Sequence, residues 1–448
     1  MNKTEQFLNE LDLLFQKNFP TSVIEKSKIS LLDYIAVTLA GTTFLDEKQN
    51  RYLEFERNID GNTNVIGLHQ KLNLKEAVFL NGLNGHALDF DDGTNTGIIH
   101  LGSPIFSVLL PLAQKYKIDT KTFLKAVIIG YETSFTMAVS IQPKHKELGY
   151  HATGTCGILG IALAASYMLG FSKEKRKNAF AIACASATGM LNVLDDGSEL
   201  KPYNVAKTAL LGLTAVQMAY AGYKGHPDPL GSSRGFLKMM TGDKAIELKN
   251  PLLNGTYAIE KTYTKPYAAC RYCHPAIEAA IKLKEKNILD KTNISSVNVR
   301  TYYWAVNKHD HTNIPSSASA KMSTPYGIAV GLLYGKAGLK EYDSEYIQNE
   351  QILELAKKVI VESDDNLTAQ FPKKTTAIVT ICTNDGTKYV EQVDFPKGEP
   401  ENPFTEGEFK ARFIELVLYG KKTQAEAVTI YDFVKNMDGD MSGLFEKL

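Results

Sequence analysis

Apolar residues at Ile29, Leu32, Ile35, Ala36 and Leu39 recur at three- and four-residue steps, the spacing that lays one stripe along an amphipathic helix. Helical patterning continues from about residue 22 to 260, with helices predicted over about 74–88, 120–141, 155–170, 174–190 and 203–222. Several are rich in Ala, Gly and Ser, as in Gly157-Ile158-Leu159-Gly160-Ile161-Ala162-Leu163-Ala164-Ala165. Small side chains let helix axes approach closely, which predicts a compact helical domain.

Past about residue 263 the period changes from helical to two. Ser295-Ser296-Val297-Asn298-Val299-Arg300-Thr301-Tyr302-Tyr303 and Thr375-Thr376-Ala377-Ile378-Val379-Thr380-Ile381-Cys382 alternate as strands do. Asn384-Asp385-Gly386-Thr387 supplies a hairpin turn into Lys388–Val393. Helices at about 275–286, 323–335 and 345–358 interrupt the strands, so this part reads as a small α+β domain. After Pro396, Pro400 and Pro403 the helical pattern returns at about 405–418 and 422–435. The expected fold class is therefore mainly α: a helical domain over 1–263, rejoined by 404–448, with an α+β domain inserted at 264–403.

Bulk properties narrow the function more than the fold. At 448 residues the chain has ample interior for an enclosed pocket. Lys plus Arg equals Asp plus Glu, 50 against 50, so no global field draws it to nucleic acid or an anionic membrane. A small-molecule partner is the better expectation, with no nucleic acid and no membrane. Five dispersed cysteines, Cys156, Cys184, Cys270, Cys273 and Cys382, do not resemble a secreted disulfide framework and fit a reducing cytoplasm. The N-terminus is charged almost at once and lacks the apolar core of a signal peptide. The longest apolar-rich stretch, Gly157–Phe171, falls short of the roughly 18 residues of a spanning helix and reads as buried.

The densest chemistry is Asn81-Gly82-Leu83-Asn84-Gly85-His86-Ala87-Leu88-Asp89-Phe90-Asp91-Asp92-Gly93, followed by Gly97-Ile98-Ile99-His100. Asn81–Leu88 reads as the end of a helix and Gly93–Gly102 as an irregular loop. His86 alone is equally well a core histidine beside capping aspartates, whereas Asp89, Asp91, Asp92 and His100 together suggest a site. Imidazoles with carboxylates also describe a metal site, but no second His/Asp cluster with ligand spacing lies elsewhere in the sequence.

Four other clusters carry weaker signals. Gly149-Tyr150-His151-Ala152-Thr153-Gly154-Thr155 precedes the small-residue helix, so His151 stands at a helix N-terminus, as an ordinary cap or as an anion site. Lys201-Pro202-Tyr203 opens another helix, and Lys265-Pro266-Tyr267 leads into Cys270-Arg271-Tyr272-Cys273-His274-Pro275. Those cations suit carboxylates, while the CxxC spacing lacks the second pair that would make it an iron-sulfur signal. Gly231-Ser232-Ser233-Arg234-Gly235-Phe236 is a turn bearing one guanidinium, and Tyr326 starts a helix.

In order, the phrases NGLNGHALDFDDG, GYHATGTCGILG, LKPYNVAKTALLG, KPYAACRYCHPAIEA, STPYGIAVGLLYG and PKGEPENPFTEGEFKARF resemble the MmgE/PrpD family over nearly the whole chain. The family includes 2-methylcitrate dehydratase, cis-aconitate decarboxylase and iminodisuccinate epimerase. The resemblance implies an all-helical domain built from both chain ends, an inserted α+β lid, a homodimer, and a polar site between the domains. It carries the decarboxylase positions onto Asp89, His100, His151, Lys201, Lys265 and Tyr326, and a family histidine onto His274. Where the decarboxylase has Thr after the DFDD phrase this chain has Gly93, with Thr94 next, and its loop to His100 is one residue longer.

The implied chemistry is a carbanion beside a carboxylate, common to dehydration, decarboxylation and epimerisation. Lys201, Lys265 and Arg271 would neutralise carboxylates, while His100 and His151 would exchange protons near neutral pH. Asp89 would fix a histidine tautomer or act as a base, and Tyr326 would donate a hydrogen bond. Asp92, Gly93, Thr94, His274 and Arg234 complete the expected substrate contacts. No metal, nucleotide or flavin cofactor is required. The expected activity is a lyase on a small di- or tricarboxylate, with the hydro-lyase placed first and the carboxy-lyase or epimerase next. A metal-dependent hydrolase and a non-catalytic carboxylate binder are the readings from other classes.

Overall fold

A computed structural model describes residues 1–55, 59–194, 198–243, 245–249, 255–286 and 293–448. The chain divides into two compact units, one of Met1–Val193, Leu200–Thr264 and Thr405–Leu448 and the other of Leu194–Glu199 and Lys265–Phe404. It is a mainly α protein with an α+β portion.

The larger unit is built from helices whose ends are written in the sequence. Asn2 and Glu5 form a capping box that starts the helix Lys3–Gln16, and Asp119 accepts from Thr122 N to start Thr120–Ile141. Thr405 with Glu408, and Thr423 with Glu426, open the two C-terminal helices Glu406–Tyr419 and Gln424–Asn436. These pairings satisfy amides that the first helical turn leaves without partners. Gly157–Met168 is buried at every position and packs against Thr120–Ile141, as its small residues require. By length and composition alone Thr120–Ile141 is apolar enough to cross a membrane, but 94% of its apolar window is buried inside the protein. It exceeds the Gly157–Phe171 stretch singled out from sequence.

Two crossings place the functional loop. Thr21–Phe44 lies against Leu74–His86, which in turn lies against Lys201–Tyr220. At the first crossing Gly41 admits the opposing backbone, since a Cβ there would stand 2.0 Å from the Asn84 carbonyl oxygen. Backbone cannot swing aside as a flexible side chain would. Gly41→Ala is therefore expected to destabilise the protein by about 1–3 kcal/mol, read as a lower urea midpoint with an unchanged m-value.

Glu132 is a buried carboxyl in the same unit, accepting from Ala258 N at 2.6 Å. Burial pushes its pKa up to about 8 against the opposing Ala258 hydrogen bond, with Glu260 adding to the rise. A raised carboxyl pKa means that the folded state prefers the neutral form, so this contribution is complete below pH 4.5 and is lost as pH rises toward 8. Wild type should lose stability relative to Glu132→Gln across that interval, by up to about 1.4 kcal/mol per pH unit. Urea titrations of both proteins at the two ends check this; a constant difference would refute it.

The smaller unit holds a four-stranded sheet in the order Val359–Ser363, Ile294–Thr301, Ala377–Thr383, Lys388–Val393. The first pair is parallel, with Val299 opposite Val361, and the others are antiparallel, with Val299 also opposite Val379. Ala377, Val379, Ile381 and Thr383 are buried while the residues between them are partly open, the alternation of a one-sided sheet. His274–Lys286 covers that sheet and packs against Thr324–Tyr334.

Candidate active site

The helix Leu74–His86 delivers His86 into the interior, and the chain leaves it through Asp89 in the left-handed region at φ 51°. Few non-glycine residues adopt that conformation, with Asp among the more tolerant. Beyond this turn the three aspartates meet different partners. The Asp91 carboxylate faces His86 Nδ1 at 2.9 Å from both oxygens, and its Oδ1 lies 3.3 Å from His100 Nδ1. Asp89 Oδ1 lies 2.6 Å from Lys201 Nζ and 3.7 Å from His100 Nε2. The His86 and His100 rings meet edge to face at 4.6 Å.

Asp92 faces the fold. Its Oδ1 accepts from the Gly102 and Leu101 amides at 2.8 and 3.3 Å, and its Oδ2 accepts from the Tyr131 hydroxyl at 2.7 Å. It thus serves the start of the helix Gly102–Tyr116, an element the sequence did not predict after the irregular loop ending at Gly102. Burial raises the Asp92 pKa to about 7 against the Tyr131 and Gly102 hydrogen bonds. The sequence expected Asp92 at a substrate; both its oxygens instead hold protein donors.

Gly93 and Thr94 are likewise occupied. Gly93 pairs with Tyr263 through Gly93 N to Tyr263 O at 3.4 Å and Tyr263 N to Gly93 O at 2.9 Å. A Cβ on Gly93 would meet the Tyr263 hydroxyl at 2.5 Å, which accounts for glycine here. Thr94 N donates to Ile99 O, and the Thr94 hydroxyl accepts from Gly97 N, closing the loop on itself.

His151 precedes the short helix Ala152–Thr155. Thr153 Oγ1 on that helix accepts from the His100 amide at 3.1 Å, tying the two histidine segments together. Burial, then the nearby charges of Lys201, His86 and His100, hold the His151 pKa well below its ordinary value, with Asp89 opposing them. His151 is therefore neutral at physiological pH. The sequence reading had it exchanging protons near neutrality, and the missing factor was burial. Burial also favours a neutral Asp91 most strongly, yet the charges and hydrogen bonds of His86 and His100 prevail and keep it well below the usual carboxylate range.

Asp89, His100, His151 and Lys201, widely spaced in sequence, thus gather in the larger unit. Arg234, in the same unit, is exposed on the turn before Phe236–Thr241. The remaining candidates belong to the smaller unit. Lys265 is buried, and Tyr326 donates its hydroxyl to Glu341 O at 2.7 Å. Arg271, expected to grasp a substrate carboxylate, is ion-paired with the buried carboxylate of Glu399. His274 Nε2 donates to Ala269 O at 3.0 Å. All five cysteines are free thiols, and Cys270 Sγ stands 3.3 Å from His309 Nε2.

One set among the described residues suits a metal ion: ligand atoms of His86, Asp89, Asp91 and His100 lie within 4.8 Å of one another. The Lys201 ammonium, 2.6 Å from Asp89, already supplies positive charge to one of those four donors. The sequence named Lys201 and Asp89 but missed Asp91 as the link between two imidazoles, and it missed Arg412. Arg412 Nη2 donates to the carbonyl of Phe90, the residue between Asp89 and Asp91, at 3.1 Å. No local signal marks that contact, since 322 residues separate the two.

In the helical unit the Lys201 ammonium pairs with Asp89, and His100 Nε2 lies near the same carboxylate oxygen. Residues 14–249 match the MmgE/PrpD N-terminal domain and residues 267–434 the MmgE/PrpD C-terminal domain. The chain belongs to the MmgE/PrpD family. It is 26% identical to cis-aconitate decarboxylase of Aspergillus terreus over 94% of this chain and 89% of that protein. It is 24% identical to cis-aconitate decarboxylase of Mus musculus, over 92% and 86% respectively. Identity to 2-methylcitrate dehydratase of Salmonella typhimurium is 24%, over 75% of this chain and 73% of the relative.

Proposed function

We propose that this chain is a lyase acting on a small tricarboxylate through a carbanion formed beside a carboxylate. The observation that carries the reading is the Lys201 ammonium 2.6 Å from Asp89, with His100 Nε2 3.7 Å from the same carboxylate oxygen. A fixed cation stabilises the enediolate-like charge that forms when an adjacent proton or CO2 leaves. An imidazole within reach of the same group moves the proton.

Both a carboxy-lyase and a hydro-lyase satisfy this chemistry. Relatives named cis-aconitate decarboxylase align with 92–95% of this chain, against 64–75% for those named 2-methylcitrate dehydratase, so decarboxylation is the branch to test first. Incubation with cis-aconitate and with 2-methylcitrate, followed by mass analysis, separates loss of CO2 from loss of water. Deuterium uptake from solvent at unchanged mass would instead indicate epimerisation. Absence of all three changes with both acids, and with related polycarboxylates, would refute the lyase reading.

The reading includes a cofactor-independent reaction, a homodimer and a cytoplasmic setting. Its supports are an ammonium already standing at Asp89, the family resemblance, and dispersed free cysteines. Metal analysis of the active enzyme and light scattering across a concentration series test the first two.

A further inference from the structure

The two histidines of the site differ in the chemistry that stands at Nδ1. His100 stands between two carboxylates, with Nδ1 3.3 Å from Asp91 Oδ1 and Nε2 3.7 Å from Asp89 Oδ1, neighbours that favour its taking up a proton. His151 meets an amide there instead. Its Nδ1 lies 3.1 Å from Nδ2 of Asn204, one turn along the helix that begins at Lys201.

The orientation of that amide is over-determined. Asn204 Nδ2 also lies 3.3 Å from the Met190 carbonyl oxygen, which only accepts, while Asn204 Oδ1 lies 3.2 Å from Lys207 Nζ, which only donates. Flipping the amide would set its oxygen against a carbonyl and its NH2 against an ammonium. Nδ2 is therefore the donor, and His151 Nδ1 can only accept. Among the described residues, His151 Nε2 has no hydrogen-bond partner.

We infer that Asn204 is a positioning residue that fixes His151 as its neutral Nε2–H tautomer, so that His151 donates a hydrogen bond to the charge developing on the substrate while His100 serves as the base. This inference rests on the lyase reading above. It assigns the two roles that the sequence left interchangeable, and it separates them by neighbour chemistry, a carboxylate at one Nδ1 and an amide NH2 at the other. A neutral N–H stabilises an enediolate oxygen without surrendering its proton, and the protonation state suits that role because His151 is buried.

The test uses full-length protein labelled with 15N in its histidines, with the His151 signals assigned by their loss in His151→Gln. Wild type should show the Nε2–H tautomer without change across neutral pH. Asn204→Asp offers Nδ1 an acceptor in place of a donor, and should switch the ring to Nδ1–H and lower kcat by at least about 10²-fold with KM changed by less than about threefold. Asn204→Ala should give a mixture of tautomers and an intermediate kcat, and it keeps the comparison available if the aspartate variant folds poorly. An Nδ1–H signal in wild type overturns the inference, as does a switched tautomer at undiminished kcat. The wild-type spectrum needs no substrate, so failure of the lyase reading would leave the tautomer assignment standing or falling by itself.

Discussion

Lys201→Met is expected to lower kcat by about 10²–10³-fold, the loss that follows removal of one fixed electrostatic contact from a developing negative charge, while far-UV circular dichroism stays unchanged. Asp89 fixes the ammonium. Its carboxylate holds Lys201 Nζ at 2.6 Å, and both side chains are largely buried, so the ammonium is positioned before any substrate arrives. Methionine keeps the length and the apolar stem but removes the charge. Asp89→Asn alone should also impair turnover, because it loosens the same ammonium and removes the negative charge near His100 Nε2. Since the two side chains act as one unit, the double variant should be little worse than the poorer single variant. Steady-state kinetics on the four proteins check this. Strict multiplication of the two losses would mean that Lys201 and Asp89 act independently and would remove their pairing from the mechanism.

Much of the fold could be read from the chain because its signals are local. The predicted 120–141 helix is observed as Thr120–Ile141, with Asp119 as its cap, and the Asn384-Asp385-Gly386-Thr387 turn joins Ala377–Thr383 to Lys388–Val393, with Gly386 at φ 86°. What escaped depended on partners distant in sequence or on misleading local cues. The strand Val359–Ser363 follows a helix and is five residues long; it forms by parallel pairing with Ile294–Thr301, which no nearby residue announces. The helix Gly102–Tyr116 contains Pro111, ordinarily a helix breaker, and starts on a glycine. The predicted 345–358 helix is split into Ser344–Ile347 and Glu350–Ala356, because Asn349 caps the second segment.

The site shows the same division. Asp89, His100, His151 and Lys201 lie in phrases dense with chemical groups, so sequence finds them. The roles of Asp91, Asp92 and Asn204 depend on where each side chain turns. Asp91 and Asp92 are adjacent, yet one bridges two imidazoles and the other receives the first amides of a helix. Adjacent side chains on non-helical backbone can face opposite ways, and hydrophobic periodicity does not encode which partners they meet.

Arg412→Met should be the most damaging substitution to stability in the larger unit, at about 3–5 kcal/mol, the usual cost of removing one partner of a buried ion pair. Arg412 Nη1 lies 2.6 Å from Asp33 Oδ1, its Nη2 donates to the Phe90 carbonyl, and its guanidinium stacks on the Phe90 ring at 4.6 Å. One side chain from Glu406–Tyr419 thereby fastens the C-terminal helices to Thr21–Phe44 and to the loop carrying Asp89 and Asp91. Burial already raises the Asp33 pKa, with Arg412 the main opposing influence. Loss of the guanidinium should raise it further. A carboxyl with a raised folded-state pKa stabilises the protein at low pH and weakens it as pH increases, so the variant's deficit should shrink on acidification. Adding Asp33→Asn removes the stranded charge and should recover part of the stability near neutral pH. The Phe90 carbonyl would still lack its donor, so turnover should remain impaired. Urea midpoints at several pH values, with kcat measured on the double variant, check the whole argument. A deficit independent of pH would show that Asp33 is not the group left uncompensated.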